Sequence, residues 1–159
     1  MAIIGIVAVD RSGAIGKGGR VPWHYPADLR FFKEQTVGHV CVMGRRTWAS
    51  LKRPLPNRLN VVLSRTPEAE TQPGVLWLRD KTSVLSLLPY LSCDLYVIGG
   101  EQLYQSFLPE IERWVVTEIP LSVEDADTFM PAEFLHGFRQ SGARELDADL
   151  KAVFYRREH

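Results

Sequence analysis

One short stretch of the chain places an acid beside large apolar rings. Pro26 suits the first turn of a helix, where no N–H donor is needed, and we predict a helix from Ala27 to Thr36. Phe31 and Phe32 lie three and four residues after Asp28, so all three can share a helix face. Asp28 then has two interpretations: an acid favoured by the helix dipole, or an anion in an apolar pocket that requires a cationic or N–H-rich partner.

Three junctions at the ends of predicted strands carry groups that suit a phosphate. Gly44-Arg45-Arg46-Thr47 combines the N–H groups of a helix start with two guanidinium groups, and Leu63-Ser64-Arg65 ends a strand with a hydroxyl and a guanidinium. Ile98-Gly99-Gly100 opens a helix with paired glycines, which permit close approach of a ligand. A basic surface turn and a simple glycine turn are the alternatives. Ligands of open α/β sheets bind outside the carboxyl ends of the strands, where all three junctions point.

Several other chemistries have no support in the sequence. It contains neither the G-x-G-x-x-G fingerprint of dinucleotide-binding folds nor a G-x-x-x-x-G-K-[ST] phosphate loop. The four histidines are scattered without metal-ligand spacing, and no serine lies in a G-x-S-x-G turn. We therefore expect no metal and no acyl transfer.

Composition limits the class of protein. The 159 residues are 45% hydrophobic, as in one globular domain, and 19 basic side chains balance 19 acidic ones, so we expect neither nucleic-acid nor membrane binding. Two cysteines make no disulfide framework, and Cys41 lies in an apolar run. The N-terminal run lacks the pattern of a signal peptide, and no stretch is long enough to span a membrane. We expect a cytoplasmic monomer.

The elements that would position these residues alternate between strand and helix. This order predicts an α/β fold in one domain, residues 1–159, with a central mixed, mostly parallel sheet of about eight strands flanked by about four helices. Asp10 to Tyr25 reads as a long binding loop and Pro67 to Gly74 as a surface connection. We expect Thr82 or Ser83 to cap a helix reaching about Leu88, and the chain to end with strands over Phe134 to Gln140 and Lys151 to Arg157.

An ordered series of motifs resembles the dihydrofolate reductase family. The matches run in the family's order and spacing from Ile3 to about Thr128, whereas the chain after Met130 matches in strand pattern alone. The motifs are Ile6-Val7-Ala8-Val9, Gly13-Ala14-Ile15-Gly16-Lys17-x-Gly19-x-Val21-Pro22-Trp23, Pro26-x-Asp28-Leu29-x-x-Phe32, Val42-Met43-Gly44-Arg45-Arg46-Thr47-Trp48, Arg53-Pro54-Leu55-Pro56-x-Arg58-x-Asn60, Val62-Leu63-Ser64-Arg65 and Ile98-Gly99-Gly100-x-x-x-Tyr104.

The resemblance implies hydride transfer from NADPH to 7,8-dihydrofolate, giving tetrahydrofolate, and a site that antifolates would also occupy. By resemblance Asp28 binds the pterin and favours its protonated form, and the loop around Trp23 admits the water that carries the proton. Thr117 would hydrogen-bond Asp28 or the pterin amino group, and Arg58 would bind the glutamate α-carboxylate, with Lys33 and Arg53 as weaker candidates. The remaining substrate-binding residues implied are Ile6, Leu29, Phe32, Leu51, Ile98 and Tyr104.

The same resemblance implies a set of cofactor-binding residues. Arg46 and Arg65, with Ser64, would hold the 2′-phosphate, which favours NADPH over NADH, and the family commonly joins the glycine pair by a cis peptide. The full set is Ala8, Ala14, Ile15, Gly16, Lys17, Gly18, Gly19, Arg20, Gly44, Arg45, Arg46, Thr47, Leu63, Ser64, Arg65, Arg79, Ile98, Gly99, Gly100, Glu101, Gln102, Leu103 and Tyr104.

The chain departs from the family at one motif, and two other functions stay open. Glu101 stands where the family commonly has a third glycine, so one backbone contact to phosphate is less open. A pyrimidine reductase of riboflavin synthesis would retain the paired glycines but needs neither Asp28 nor Trp23. A module that only binds a phosphorylated nucleotide would explain the arginines but not a carboxylate in an apolar cleft.

Overall fold

The first strand, β1 (Ile3–Val9), lies inside the sheet of this computed structural model, which describes residues 1–66 and 72–159. Its apolar, β-branched sequence suits a strand with neighbours on both edges and layers on both faces. β1 pairs in parallel with β6 (Leu95–Val97) and β7 (Arg113–Glu118). The carboxyl ends of β1 and β7 therefore lie side by side, with Ala8 opposite Thr117.

Ten strands and four α-helices are formed within the described ranges. Eight strands make one mixed sheet in the order β5-β4-β3-β6-β1-β7-β10-β9, and β2 pairs with β8 in a separate two-stranded ribbon. The remaining bounds are β2 Ala14–Gly16, α1 Pro26–Thr36, β3 Val40–Gly44, α2 Arg45–Ser50, β4 Leu59–Leu63, β5 Val75–Leu78, α3 Lys81–Leu85, α4 Glu101–Phe107, β8 Thr128–Phe129, β9 Phe138–Asp147 and β10 Leu150–Arg157; 3-10 turns cover Leu88–Tyr90 and Leu108–Glu110.

The predicted α/β class and mostly parallel sheet are confirmed, but three local predictions are wrong. Asp80, rather than Thr82 or Ser83, caps α3 by accepting the Ser83 N–H at 2.8 Å, and α3 ends at Leu85. β9 begins four residues later than predicted and is longer because β10 pairs with it along almost its full length. The loop after Asp10 contains β2. The predicted connection from Pro67 to Gly74 lies outside the described residues as far as residue 71.

Two apolar layers cover the two faces of the sheet. On one face the rings of Tyr104 and Phe107 from α4 pack with Trp114 of β7, which is fully buried. On the other face Phe31 of α1 packs edge-on against Phe154 of β10, with ring centroids 6.1 Å apart. The sheet therefore lies between apolar layers on both of its faces. In the described part of the chain, no helix is long and apolar enough to cross a membrane.

Candidate active site

Asp28 lies in the first turn of α1 and accepts one hydrogen bond, from the hydroxyl of Thr117 in β7 at 2.7 Å. Burial raises the pKa of Asp28 above its ordinary value of 3.8, and the Thr117 hydrogen bond offsets part of that rise. No Lys, Arg or His pairs with Asp28 among the residues described. The native state therefore binds this proton more tightly than the unfolded chain, and the carboxyl lowers the free energy of unfolding as the pH rises above 3.8.

Apolar side chains surround this end of α1. Ile6 is buried in the layer that also holds Phe31, and Phe32, Leu51 and Ile98 pack against that layer while half-buried. Leu29 differs, because 57% of it is exposed next to Asp28 in the sequence. Trp23 is half-buried and, like Ala8, packs against the buried cluster that contains Ala27 and Ile119. Asp28 thus has apolar surroundings, and Leu29 leaves apolar surface available to a ligand.

Arg58 forms a second polar position beside α1. It is buried, and its guanidinium donates to the Pro56 carbonyl at 2.9 Å and to the Thr36 hydroxyl at 3.0 Å. Burial lowers the pKa of Arg58 below its ordinary value, and burial raises the pKa of the neighbouring Cys41 thiol to about 12, so that thiol is neutral at physiological pH. Over residues 1–66 and 72–159 no carboxylate pairs with Arg58. The guanidinium is fixed in direction and lacks an internal anion, which suits an external carboxylate.

Three glycines meet at the ends of β3 and β6. The Gly44 N–H donates to the Gly99 carbonyl at 2.9 Å, and the Gly99-Gly100 peptide is cis, as the resemblance implied. A Cβ on Gly44 would lie 3.8 Å from the Gly99 oxygen, and one on Gly99 would lie 3.2 Å from the Tyr104 hydroxyl. Tyr104 is buried and donates that hydroxyl to the Ile6 carbonyl at 2.7 Å. The three glycines thus bring bare backbone together at the carboxyl ends of these strands.

The starts of α2 and α4 adjoin these glycines. Gly44 and Gly100 are the residues that precede the two helices, so each helix directs unpaired N–H groups toward this region. Arg45 donates to the Ser64 hydroxyl at 3.2 Å and to the Thr66 carbonyl at 2.8 Å, and its guanidinium lies 5.9 Å from the Trp77 ring centroid. Two helix starts and a guanidinium that also contacts Ser64 provide the donors that a phosphorylated cofactor requires.

A tight turn follows β2. Lys17 and Arg20 bond to each other through their backbones, and Gly18 and Gly19 between them have φ of 60° and 77°. The Gly18 N–H donates to Asp127 at 2.8 Å, and the Lys17 ammonium donates to the Glu124 carbonyl at 2.9 Å. β2 itself pairs with β8, which follows Asp127 directly. This turn is thus attached to the segment that leads into β8.

The other predicted site residues divide by exposure. Thr47, Leu63 and Ile15 are half-buried, and Gly16 is buried against Thr128. Leu103 packs in the α4 layer, and Ala14 is fully buried, so its placement gives no support for a cofactor contact. The exposed members are Lys33, Arg46, Arg53, Arg65, Arg79, Glu101 and Gln102.

The structure also shows polar residues that the sequence argument missed. Thr36 orients Arg58, and Asp10 and Asp127 each accept hydrogen bonds from the loop around β2. For Asp10 a signal was present: an Asp two residues before Ser12 is typical of a side chain that caps its own turn. Thr36 and Asp127 act across long sequence separations, so no local pattern marks them.

Within the described residues no cluster of His, Cys, Asp and Glu is suited to a metal ion.

The comparisons with known proteins agree with the geometry. The sequence profile of the family described as dihydrofolate reductase matches residues 2–157.

Individual relatives cover most of the chain. It is 38% identical to the dihydrofolate reductase of Haemophilus influenzae, over 79% of this chain and 76% of that protein. It is 41% identical to dihydrofolate reductase type 3 of Salmonella typhimurium, over 88% of this chain and 85% of that protein. A solved structure of the Enterococcus faecalis enzyme, complexed with NADP(H) and RAB-propyl, superimposes with a TM-score of 0.89 at 30% identity, over 99% of this chain and 97% of that one. The chain therefore belongs to the dihydrofolate reductase family.

Proposed function

We propose that this protein transfers a hydride from NADPH to 7,8-dihydrofolate, giving 5,6,7,8-tetrahydrofolate. The observation that carries the proposal is the half-buried carboxylate of Asp28, whose partner within the described chain is the hydroxyl of Thr117. A pterin presents an amino group and a ring N–H side by side, and these two donors satisfy both oxygens of a carboxylate. Of the two interpretations of Asp28, the proposal adopts the anion in an apolar cleft, which the raised pKa of Asp28 and its hydrogen bond from Thr117 support.

Asp28 has two tasks in this scheme. It orients the pterin through two hydrogen bonds, and its negative charge stabilises the protonated, electrophilic form of the substrate that accepts hydride. Asp28 need not touch the nitrogen that is protonated, since water admitted beside the half-buried Trp23 can deliver that proton. Thr117 keeps the carboxylate in place and maintains its ionised form.

Apolar contacts and Arg58 complete the substrate site. Ile6, Phe32 and Ile98 exclude water from the pterin, and the exposed side chain of Leu29 covers the middle of the substrate. Arg58, oriented by Thr36, binds the glutamate α-carboxylate through a two-pronged contact that a lysine could not make. Leu51 packs against the layer that holds Ile6, whereas Tyr104 lies on the other face of the sheet and reaches Ile6 through the hydrogen bond from its hydroxyl to the Ile6 carbonyl. Lys33 and Arg53 are exposed cations.

The residues present fit NADPH. The bare backbone of Gly44, Gly99 and Gly100 permits close approach of a planar ring or a phosphate, and the starts of α2 and α4 offer N–H donors. Arg45 joins Ser64 in the group that meets the 2′-phosphate, together with Arg46 and Arg65. The backbone of β2 and the turn after it would lie along the nicotinamide.

Three further properties belong to the proposal. A monomer is supported by the exposed apolar side chains, since Val37, Tyr90 and Phe129 come from three different parts of the chain. A cytoplasmic location is supported by the free thiols of Cys41 and Cys93. Antifolates with a diaminopyrimidine ring would bind because they present the donor pair that Asp28 accepts.

One assay separates this function from its alternatives. The protein is mixed with NADPH and dihydrofolate, and the loss of near-ultraviolet absorbance of reduced nicotinamide is followed. We expect steady consumption of NADPH that depends on dihydrofolate and is stopped by a diaminopyrimidine antifolate. Absence of consumption with dihydrofolate, together with turnover of a riboflavin-pathway pyrimidine, would favour the pyrimidine reductase instead.

A further inference from the structure

Asp10 is a buried acid for which the proposed mechanism has no use. It follows β1 directly, and 4% of it is exposed. In the described portion of the chain it forms no ion pair. Burial acts to raise the pKa of Asp10, but hydrogen bonds from Val123, Ser12 and Ala14 outweigh it and hold that pKa below 3.8. A buried carboxylate without a cation requires such donors, and the position of each donor indicates what the acid does.

The two oxygens of Asp10 bind different parts of the chain. Oδ1 accepts the Ser12 N–H at 2.8 Å, the Ser12 hydroxyl at 2.7 Å and the Ala14 N–H at 2.8 Å. These bonds fix the turn that leads into β2. Oδ2 accepts the Val123 N–H at 2.7 Å, from a residue 113 positions away. One carboxylate thus joins the segment before β2 to the segment before β8.

The same two segments meet again at their far ends. β2 pairs with β8, and the Gly18 N–H donates to Asp127. Asp10 differs from these contacts because it is continuous with β1, which lies inside the sheet. Together with the backbone bonds from Arg11 to Leu121 and from Ile119 to Val9, Asp10 therefore ties both segments to the end of β1. The outer contacts tie the two segments to each other.

We propose that Asp10 is a positioning residue for hydride transfer. Its carboxylate holds the loop from Ser12 to Arg20 in the position required to cover NADPH. The inference rests on the proposed function, which places β2 and the turn after it along the nicotinamide. Without this carboxylate the backbone bonds of Asp10 with Ala14 and Gly13 remain, but the N–H groups of Ser12, Ala14 and Val123 lose their shared acceptor. A small shift of the loop is then enough to slow the reaction, because a displacement of about 1 Å in a reacting pair costs on the order of 100-fold in rate.

The test uses Asp10→Asn and a matched control. The amide retains the size of the carboxylate but directs an NH2 group at donors that require an acceptor, while the backbone bond from Arg11 to Leu121 is retained. The control is Asp94→Asn. Asp94 also accepts an N–H from a distant segment, that of Ala2 at 2.8 Å, but it precedes β6 and so lies at the opposite end of the sheet.

We expect Asp10→Asn to accelerate NADPH release about tenfold in stopped-flow competition, and to slow hydride transfer in a single turnover about tenfold. We expect dihydrofolate affinity to change less than twofold. The rise in Tm that NADPH produces should shrink in Asp10→Asn and stay intact in Asp94→Asn, even where both substitutions lower Tm without ligand.

If Asp10→Asn and the unsubstituted protein release NADPH at the same rate, the inference is overturned. If Asp10→Asn does not fold, Val123→Pro removes the single N–H that Oδ2 accepts, and the same two rates are measured; an unchanged rate of NADPH release would again overturn it. NADPH release needs no turnover, so its result is distinct from failure of the proposed function, which would appear as inactivity of the unsubstituted protein with dihydrofolate.

Discussion

The Thr117 hydroxyl donates to Oδ1 of Asp28 over 2.7 Å and thereby joins β7 to the first turn of α1. Thr117 is 3% exposed, so this bond is shielded from solvent. It opposes the rise in pKa that burial imposes on Asp28. The bond therefore favours the anionic carboxylate in surroundings that otherwise favour its neutral form.

Removing that hydroxyl should weaken catalysis without altering the fold. Thr117→Val preserves shape, raises the pKa of Asp28 further because a bond to the ionised form is lost, and should lower kcat/KM about tenfold at neutral pH. As the pH falls, Asp28 becomes protonated and its contribution to diaminopyrimidine binding is lost. In Thr117→Val we expect this loss to begin at a higher pH than in the unsubstituted protein. Thr117→Ser retains the hydroxyl and should restore both properties. Identical pH profiles for the valine and serine variants would contradict this role.

Arg58 should affect the substrate's tail rather than its ring. Arg58→Lys retains a positive charge but loses the contacts to Pro56 and Thr36 that orient the guanidinium. We expect KM for dihydrofolate to rise at least tenfold while kcat changes less than about threefold. A reduced pterin without the glutamate is the control substrate, and its KM should not change. A similar loss for both substrates would show that Arg58 serves the fold instead.

Arg65 should distinguish the two nicotinamide cofactors. Arg65→Leu removes a guanidinium assigned to the 2′-phosphate, so we expect NADPH affinity to fall about tenfold or more and NADH affinity to stay within about twofold. Arg139→Leu removes an exposed arginine from β9, the far edge of the sheet, and should change neither affinity. Equal losses of NADPH and NADH in Arg65→Leu would place the 2′-phosphate elsewhere.

Gly5 should tolerate no side chain, for a reason that lies in the core. A Cβ at Gly5 would approach Cη2 of Trp114 to 2.7 Å and two other ring carbons more closely still. Trp114 is fully buried and cannot move aside, so Gly5→Ala should lower the free energy of unfolding by about 1–3 kcal/mol in urea denaturation. Gly142→Ala in β9 is the control, because its Cβ would lie 3.9 Å from Phe154, and it should cost under about 0.5 kcal/mol. Similar losses from both substitutions would contradict the role of Trp114.

The parts of the fold that local pattern controls were predictable. The apolar runs predict strands over Ile3 to Val9, His39 to Met43 and Leu59 to Ser64, and β1, β3 and β4 lie within about a residue of these bounds because each depends on its own sequence. The start of α1 at Pro26 is likewise within a residue of the predicted start at Ala27. β2 and β8 were missed because strands this short depend on each other as partners. The cap of α3 was misassigned because Asp80, Thr82 and Ser83 are all acceptable capping residues, and the backbone decides among them.

The candidate site divides in the same way. The family resemblance implies Asp28, Thr117 and Arg58 as site residues, and of the two contacts it implies for Thr117 the structure shows the hydrogen bond to Asp28. The orienting contact of Thr36 with Arg58 joins residues 22 positions apart, and the contact of Asp10 with Val123 joins residues 113 positions apart. Such contacts are set by packing of the whole sheet, so spacing in the sequence does not reveal them.

The most direct test of the account is the pH dependence of turnover in Asp28→Asn. The variant should fold and bind NADPH as the unsubstituted protein does, and its free energy of unfolding at neutral pH should rise, because it carries no charge that folding removes from water. With NADPH and dihydrofolate we predict a loss of at least about 100-fold in kcat/KM at neutral pH, which diminishes as acid protonates the substrate beforehand. An unchanged rate at neutral pH, or a loss that is constant across the pH range, would contradict the role of Asp28.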